Sequence, residues 1–128
     1  SAYFDLAVNG ENELWVVNPG MHYIQQYSID GNLENNWGET GMDEIGFSGC
    51  CNPVHFAFTP EGEFITAEKG LVRVKLFSPA GEYLAMVAPP GQFPNTKQGP
   101  EPVAGGPGNI WLLDFDAQQI RLFEKNTE

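Results

Sequence analysis

Positive charge is scarce in this sequence. Six Lys and Arg residues stand against 17 Asp and Glu residues, giving a formal net charge of -11, and none of the six precedes Lys69. An acidic half of this kind repels phosphate backbones, and Lys69, Arg73 and Lys75 attract them only weakly. Nucleic acid is therefore not an expected partner, and the acidic half is expected mainly to keep the protein soluble.

Long hydrophobic runs and familiar catalytic motifs are also missing. No stretch approaches the roughly eighteen apolar residues of a membrane span, and no basic segment precedes an apolar one at the N-terminus. Neither a membrane span nor a signal segment is expected. The sequence contains no Gly-x-Ser-x-Gly, Walker or His-Glu-x-x-His motif, and no base lies near Ser48. Nucleophilic catalysis is therefore not indicated.

Short alternating runs and turn residues fill the chain instead. Hydrophobic residues make up 41% of it and include nine Phe, four Tyr and three Trp, which excludes a disordered acidic chain. The 15 Gly and 10 Pro residues separate the short runs. Val72, Val74 and Leu76 alternate with Arg73 and Lys75, which predicts a half-buried strand with the two cations facing away from the core. With helical periodicity almost absent, we expect an all-β protein.

The strand pattern occurs three times. Leu14, Phe64 and Ile110 hold the same place in successive units, at offsets of 50 and 46 residues, and the neighbouring residues match without a gap. Each full unit reads as four short antiparallel strands, which is typical of a β-propeller blade. We expect blade 1 at about residues 3–38, blade 2 at about 53–88 and blade 3 at about 100–124, with the outer strand of blade 3 missing.

Blade 2 has a more specific pattern. A proline precedes its apolar inner strand, a glycine marks the next turn, an acid ends the second strand, and a cation opens a third strand with an aromatic end; these residues are Pro53, Gly62, Glu68, Arg73 and Phe77. The pattern resembles the NHL repeat. The resemblance covers nearly the whole chain and implies part of a propeller most similar to six-bladed ones. It implies an architecture and not a chemistry.

Three blades do not close a ring, because propellers have about four to eight. We therefore expect the chain to be the C-terminal half of a longer propeller, with the remaining blades as its partners. The rival hypothesis is a second copy of this chain, and the open faces of a half-ring favour association in either case. Within the blades, the acid and cation positions are expected to form salt bridges that hold the sheets in register. The two pairs are Glu68 with Arg73 and Asp114 with Arg121.

The adjacent residues Cys50 and Cys51 are the most unusual local feature. Neighbouring Cα atoms are about 3.8 Å apart, below the usual disulfide minimum of about 4.4 Å, so a bond between them requires a distorted peptide. Two ordinary thiols and a vicinal disulfide are both open interpretations. A disulfide would form a flat apolar knob suited to a planar ligand and would indicate an oxidising compartment, such as the periplasm or the cell exterior.

The segment that contains this pair links blade 1 to blade 2 across one propeller face, towards the central axis. We expect a binding or scaffolding module that recognises a protein or small-molecule ligand through this face, without a cofactor. Anionic ligands are expected to approach from the side of Lys69 and Arg73. The residues expected on the face are Cys50, Cys51, Asn52, His55, Glu68, Lys69 and Arg73.

A metal-dependent enzyme is the alternative, and a redox role for the Cys50–Cys51 pair is a third hypothesis. The repeat places Asp5, His55 and Glu101 at equivalent positions at the start of the three inner strands, so they could meet at the axis. Two carboxylates and an imidazole are ligands for a divalent metal such as calcium or zinc. The cluster resembles the metal sites of six-bladed lactonases and of a propeller lyase that cleaves peptidyl-hydroxyglycine. The same three residues could instead line a water-filled channel.

Overall fold

The computed structural model describes residues 4–125, and within this range every element is a β-strand. No helix of the described range is long and apolar enough to cross a membrane. In chain order the strands are β1 Leu6–Val8, β2 Leu14–Asn18, β3 Tyr23–Tyr27, β4 Leu33–Trp37, β5 His55–Phe58, β6 Phe64–Glu68, β7 Arg73–Phe77, β8 Tyr83–Ala88, β9 Glu101–Gly106, β10 Asn109–Asp114 and β11 Gln119–Glu124.

The strands form three separate antiparallel sheets. The first contains β1 to β4 and the second β5 to β8, each in sequential order, whereas the third contains only β9 to β11. We refer to these sheets as blades 1, 2 and 3. The all-β prediction is confirmed, and the sheets have the arrangement of propeller blades. The predicted start of blade 1, residue 3, lies outside the described residues.

One turn has the same backbone shape in all three blades. Asn12, Gly62 and Gly108 precede the second strand of their blades and have φ angles of 64°, 82° and 73°. This left-handed region favours glycine, which has no Cβ to clash with the backbone, and asparagine is enriched there among the other residues. The residue types at this position therefore fix the hairpins that start each repeat.

Blades 1 and 2 pack through an aromatic interface. Trp15 and Trp37 of blade 1 lie edge-on to Phe64 of blade 2, with ring centroids 4.9 and 5.0 Å apart, and Trp37 also lies 4.8 Å from Phe77. Phe47, from the loop between the blades, completes the cluster and is fully buried. Edge-to-face aromatic pairs add to the stabilisation from buried area.

Blades 2 and 3 pack through aliphatic side chains. Ile65 and Val74 of blade 2 meet Ile110 and Leu112 of blade 3 in a second core, with Phe93 from the intervening loop. Blade 2 is thus covered on both sides. The predicted half-exposed strand at residues 72–77 is therefore wrong, because the alternate side chains of β7 are buried too.

Candidate functional site

A cleft of about 460 Å³ lies on the face crossed by the link between blades 1 and 2. The Cys50–Cys51 pair forms one wall, and the turn after β6, with Lys69 and Gly70, forms another. The loop before β9 closes the third side. Of the seven residues predicted for the ligand face, five line this cleft: Cys50, Cys51, Asn52, His55 and Lys69.

The cysteine pair sits at the exposed tip of a fixed loop. Its Sγ atoms lie 2.6 Å apart, and Cys50 is exposed. The Cys51 thiol, by its hydrogen bond, and partial desolvation raise the pKa of Cys50, so the protonated form is favoured. Whether the two sulfurs form a disulfide stays a prediction.

Two side chains hold the loop on either side of the cysteines. His22 Nε2 donates to the Gly49 carbonyl at 2.8 Å. Asn52 donates to the carbonyls of Ser48 and Lys69 at 2.8 and 3.0 Å and accepts from the Lys69 amide at 2.8 Å. Asn52 is only 2% exposed. Asn52 therefore joins the link to the β6–β7 turn, and it also lines the cleft.

Asp5, His55 and Glu101 meet at the inner edge of the three blades. The Nδ1 atom of His55 lies 2.9 Å from Glu101 Oε2 and 3.8 Å from Asp5 Oδ2. The Asp5 carboxylate also accepts the backbone amides of Leu6 and Phe56, so it bridges blades 1 and 2. The structure brings together the three residues that the repeat places at equivalent positions.

His55 is charged at neutral pH in this arrangement. Burial of the imidazole is the largest single effect and lowers the pKa of His55, but hydrogen bonds and charges from Asp5 and Glu101 together outweigh it and raise the pKa from 6.5 to about 9. The cluster is therefore an imidazolium between two carboxylates. Its role as a metal site stays a prediction.

Glu68 and Arg73 are not on the ligand face, which corrects their predicted placement. Glu68 is 0% and Arg73 2% exposed. Arg73 Nε lies 2.6 Å from Glu68 Oε2, so the expected salt bridge within blade 2 is present, and Lys75 Nζ lies 3.1 Å from the same oxygen. The loop at residues 41–48 covers these side chains: Gly46 O accepts from Arg73 at 2.7 Å and from Lys75 at 2.6 Å.

The expected pair of Asp114 with Arg121 is absent from the described residues. Asp114 is buried and accepts from the Thr96 hydroxyl at 3.0 Å and from the Ala117 amide at 3.1 Å. Arg121 instead binds the backbone carbonyl and side chain of Gln92 and lies over the Phe93 ring, 4.8 Å from its centroid. Asp114 and Arg121, which the repeat pattern paired with each other, therefore each bind a residue of the long loop before blade 3 instead.

This loop also brings two residues to the cleft that sequence reasoning missed, Lys97 and Gln98. The Lys97 carbonyl accepts from the Gly70 amide at 2.8 Å, which places Lys97 beside Lys69. The Asp116 carboxylate accepts from the amides of Lys97 and Gln98 at 2.9 and 3.4 Å and from the Gln98 side chain at 2.7 Å. No periodic signal marks an irregular loop, so only its packing shows its position.

The hollows at the two ends of the blades are lined by different charges. Lys69 and Lys97 line the cleft, together with His55, whose charge is balanced by Asp5 and Glu101. A second hollow, of about 330 Å³, lies at the opposite blade ends, among the turns that precede the second strands, and is lined by three carboxylates: Glu11, Glu13 and Glu61. The cleft therefore contains two of the six Lys and Arg residues of a chain whose net charge is -11.

Neither a protein-family model nor a curated protein matches the chain. A solved structure does: the virginiamycin B lyase from Staphylococcus aureus, in its selenomethionine-substituted crystal structure, aligns with a TM-score of 0.58 at 16% identity. The alignment covers 96% of this chain and 41% of the lyase chain, so the chain spans about two fifths of that protein's length. The likeness shows the fold: these sheets are β-propeller blades.

Proposed function

We propose that this chain is part of an NHL-type propeller and binds an anionic ligand in the cleft beside Cys50 and Cys51. The observation that carries the proposal is the convergence of Lys69 and Lys97 on one cleft in a strongly acidic protein. A ligand could be a small carboxylate or an acidic side chain of a partner protein, since both offer the same group.

The NHL assignment is supported by the acid and cation of blade 2. Glu68 and Arg73 are direct cross-strand partners at the ends of β6 and β7, as the repeat pattern requires. In blade 1 the same positions carry Asn18 and Tyr23, which are also cross-strand partners but uncharged. The assignment concerns architecture, and the binding proposal rests on the cleft alone.

The cleft suits an anion for two reasons. Lysine ammonium groups donate charge-assisted hydrogen bonds, which are about twice as strong as neutral ones. The Cys50–Cys51 pair lines another wall of the cleft and carries no charge that would repel an anion, since its thiols are protonated. The nearby carboxylates are already engaged: Asp116 with the loop before blade 3, and Glu101 with His55. Their negative charge is thus partly compensated before a ligand arrives.

Titration of the nitrogen-15-labelled protein with benzoate, followed by amide chemical shifts, tests this proposal. Benzamide serves as the neutral probe of the same shape. We expect benzoate to shift the amides of Gly49, Gly70 and Gly99, with much smaller shifts from benzamide. Replacing both cleft lysines, Lys69→Ala with Lys97→Ala, should weaken benzoate binding several-fold, whereas Lys125→Ala should not. Equal shifts from both probes, or no effect of the double substitution, would overturn the proposal.

A metal-dependent activity is the second candidate, favoured by the axial cluster. One ligand atom from each of Asp5, His55 and Glu101 lies within 4.8 Å of the others. The nitrogen of His55 that faces both carboxylates is Nδ1. This nitrogen can bind a divalent cation only after it loses its proton. A bound cation there would act as a Lewis acid on a substrate carbonyl.

Calorimetric titration with zinc or calcium at two pH values tests the second candidate. Zinc should bind more tightly above the pKa of His55 than at pH 6, with release of a proton at the lower pH. His55→Ala should abolish this dependence. If neither cation binds at either pH, and His55→Ala changes nothing in the titration, the metal-site hypothesis is wrong. The proposal of anion binding in the cleft would be unaffected.

A further inference from the structure

Anion binding leaves the Cys50–Cys51 pair without a chemical role, although the pair forms a wall of the cleft. Both cysteines share the cleft with Lys69 and Lys97. Cys50 is exposed, and the Sγ atoms of the two cysteines lie 2.6 Å apart. Two neighbouring thiols can together reduce a disulfide, because the second thiol resolves the mixed disulfide that the first one forms. The cleft therefore contains a reactive pair next to the groups that would bind an anion.

The loop that carries the thiols is fixed to the wall that carries Lys69. Asn52, which directly follows the cysteine pair, donates to the Lys69 carbonyl at 3.0 Å and accepts from the Lys69 amide at 2.8 Å. On the other side of the pair, His22 Nε2 lies 2.8 Å from the Gly49 carbonyl oxygen. Such bonds hold the reactive group and the binding group in a fixed relative position, which a selective site requires.

A ligand with two negative charges can use both lysines. The Gly70 amide, one residue after Lys69, donates to the Lys97 carbonyl at 2.8 Å, so the two backbone segments lie side by side. Each lysine ammonium group can donate charge-assisted hydrogen bonds to a carboxylate. A disulfide with a carboxylate on each half offers two such groups, with a sulfur–sulfur bond between them that a thiol can attack.

The reactivity of the thiols depends on substrate binding. The hydrogen bond with Cys51 is the largest effect and raises the pKa of Cys50, whereas the positive charge of Lys69 lowers that pKa to a smaller extent. The protonated thiol therefore predominates, and only the thiolate attacks a disulfide. A substrate held beside the sulfur has a high effective concentration, which a disulfide free in solution lacks. Binding by the lysines should thus decide which disulfides react.

Resting on anion binding in the cleft, we propose that the cysteine pair reduces small disulfides that carry carboxylates, with Lys69 and Lys97 as the groups that select them. The Cys50 thiolate attacks one substrate sulfur, the substrate disulfide breaks, and the first substrate thiolate leaves and takes a proton from water. Cys51 then loses its proton and attacks Cys50 Sγ, and the second substrate thiolate leaves in the same way. Two protein thiols are oxidised to one disulfide, and one substrate disulfide is reduced to two thiols.

The rates of thiol loss with three small disulfides of similar length test this proposal. The disulfides are dithiodipropionate, which is anionic, its neutral diamide, and the cationic cystamine. Each is added in excess to the reduced protein, and each rate is divided by the rate of the same disulfide with mercaptoethanol, so that intrinsic reactivity cancels. The net charge of -11 by itself favours cystamine. We expect the opposite order, with dithiodipropionate about tenfold faster than its diamide and cystamine slowest.

Variants separate binding from exchange. Lys69→Ala with Lys97→Ala should remove the preference for dithiodipropionate and leave cystamine as the fastest disulfide. Lys125→Ala is the matched control, since Lys125 is exposed and does not line the cleft. It should keep the wild-type order. Cys51→Ser should stop at the mixed disulfide and retain one half of the substrate in intact mass, whereas the wild-type protein should lose two hydrogen atoms and keep no adduct.

Three results would overturn the proposal. They are equal normalised rates for dithiodipropionate and its diamide, a wild-type preference for cystamine, and a lasting adduct on the wild-type protein. The benzoate titration separates this failure from failure of the proposed function. If benzoate binds and the disulfides show no preference, only the exchange proposal is wrong. If benzoate does not bind, both proposals are wrong.

Discussion

Replacing Glu68 by glutamine should remove a large part of the stability of blade 2. Glu68 is fully buried and is within 3.2 Å of two buried cations, Arg73 and Lys75. It also accepts from the Ser48 amide at 3.0 Å, so it anchors the loop at residues 41–48. In Glu68→Gln the two cations lose the carboxylate that both of them contact, while the side chain keeps almost the same shape.

The expected cost is about 3 kcal/mol. Breaking a buried ion pair by removing one partner typically costs about 3–5 kcal/mol, against about 0–1 kcal/mol for an exposed pair. The lower end applies because backbone carbonyls, including those of Gly46 and Met42, still accept from the cations. Burial already lowers the pKa of Lys75, and the Glu68 carboxylate partly offsets this, so Lys75 would lose its proton more readily in the variant.

Urea unfolding monitored by tryptophan fluorescence measures this cost. With a typical slope of about 1–3 kcal/mol per molar urea, the midpoint should fall by about 1–3 M. Glu61→Gln, at an exposed turn, is the control and should change stability by less than about 0.5 kcal/mol. If Glu68→Gln does not fold, adding Lys75→Met should recover part of the loss by removing one unpaired cation. A cost for Glu68→Gln below about 1 kcal/mol would refute the reasoning.

Three further predictions follow from the site and the blade interface. Because the folded-state pKa of His55 is about 9 against 6.5, the stability it contributes should be complete below pH 6.5 and lost as the pH rises through about 9. Glu101→Gln should reduce this loss and lower the pKa of His55 measured by proton NMR, and an unchanged pKa would contradict the assignment. Oxidised glutathione should remove both thiols of Cys50 and Cys51 with loss of two hydrogen atoms and no adduct, measured by thiol titration and intact mass, and two remaining thiols would exclude a vicinal disulfide. Gly81→Ala should lower the free energy of unfolding in urea by at least about 1 kcal/mol, because Gly81 has a φ of 86° and an added Cβ would lie 2.6 Å from the Trp37 indole. An unchanged midpoint would contradict this close packing.

The axial cluster was predictable because it depends only on repeat register. Asp5, His55 and Glu101 share one position in three similar units, and similar units in a stack place equivalent residues along one edge. The protonation state of His55 was harder to predict from the sequence, because it depends on the distances of 2.9 and 3.8 Å from Nδ1 to Glu101 and Asp5. Residue types and spacing alone do not give such distances.

The lining of the cleft was predictable in part, for a related reason. Cys50, Cys51 and Lys69 lie at turns whose place in a blade follows from the strand order. Arg73 was misplaced because strand alternation says which residues share a side of the sheet, and does not say which side is covered. Lys97 was missed because its loop has no repeat counterpart.

The amino-acid sequence by itself determined the local structure of this protein. Alternating side chains, and Gly or Asn where the backbone enters the left-handed region, specify short strands and tight hairpins through interactions between near neighbours. The tertiary structure alone decided burial. Packing of blade against blade and of loop against blade buried the ion pair of Glu68 and joined Lys97 to the cleft. Burial depends on contacts between residues far apart in the chain, which the periodicity within a single blade does not contain.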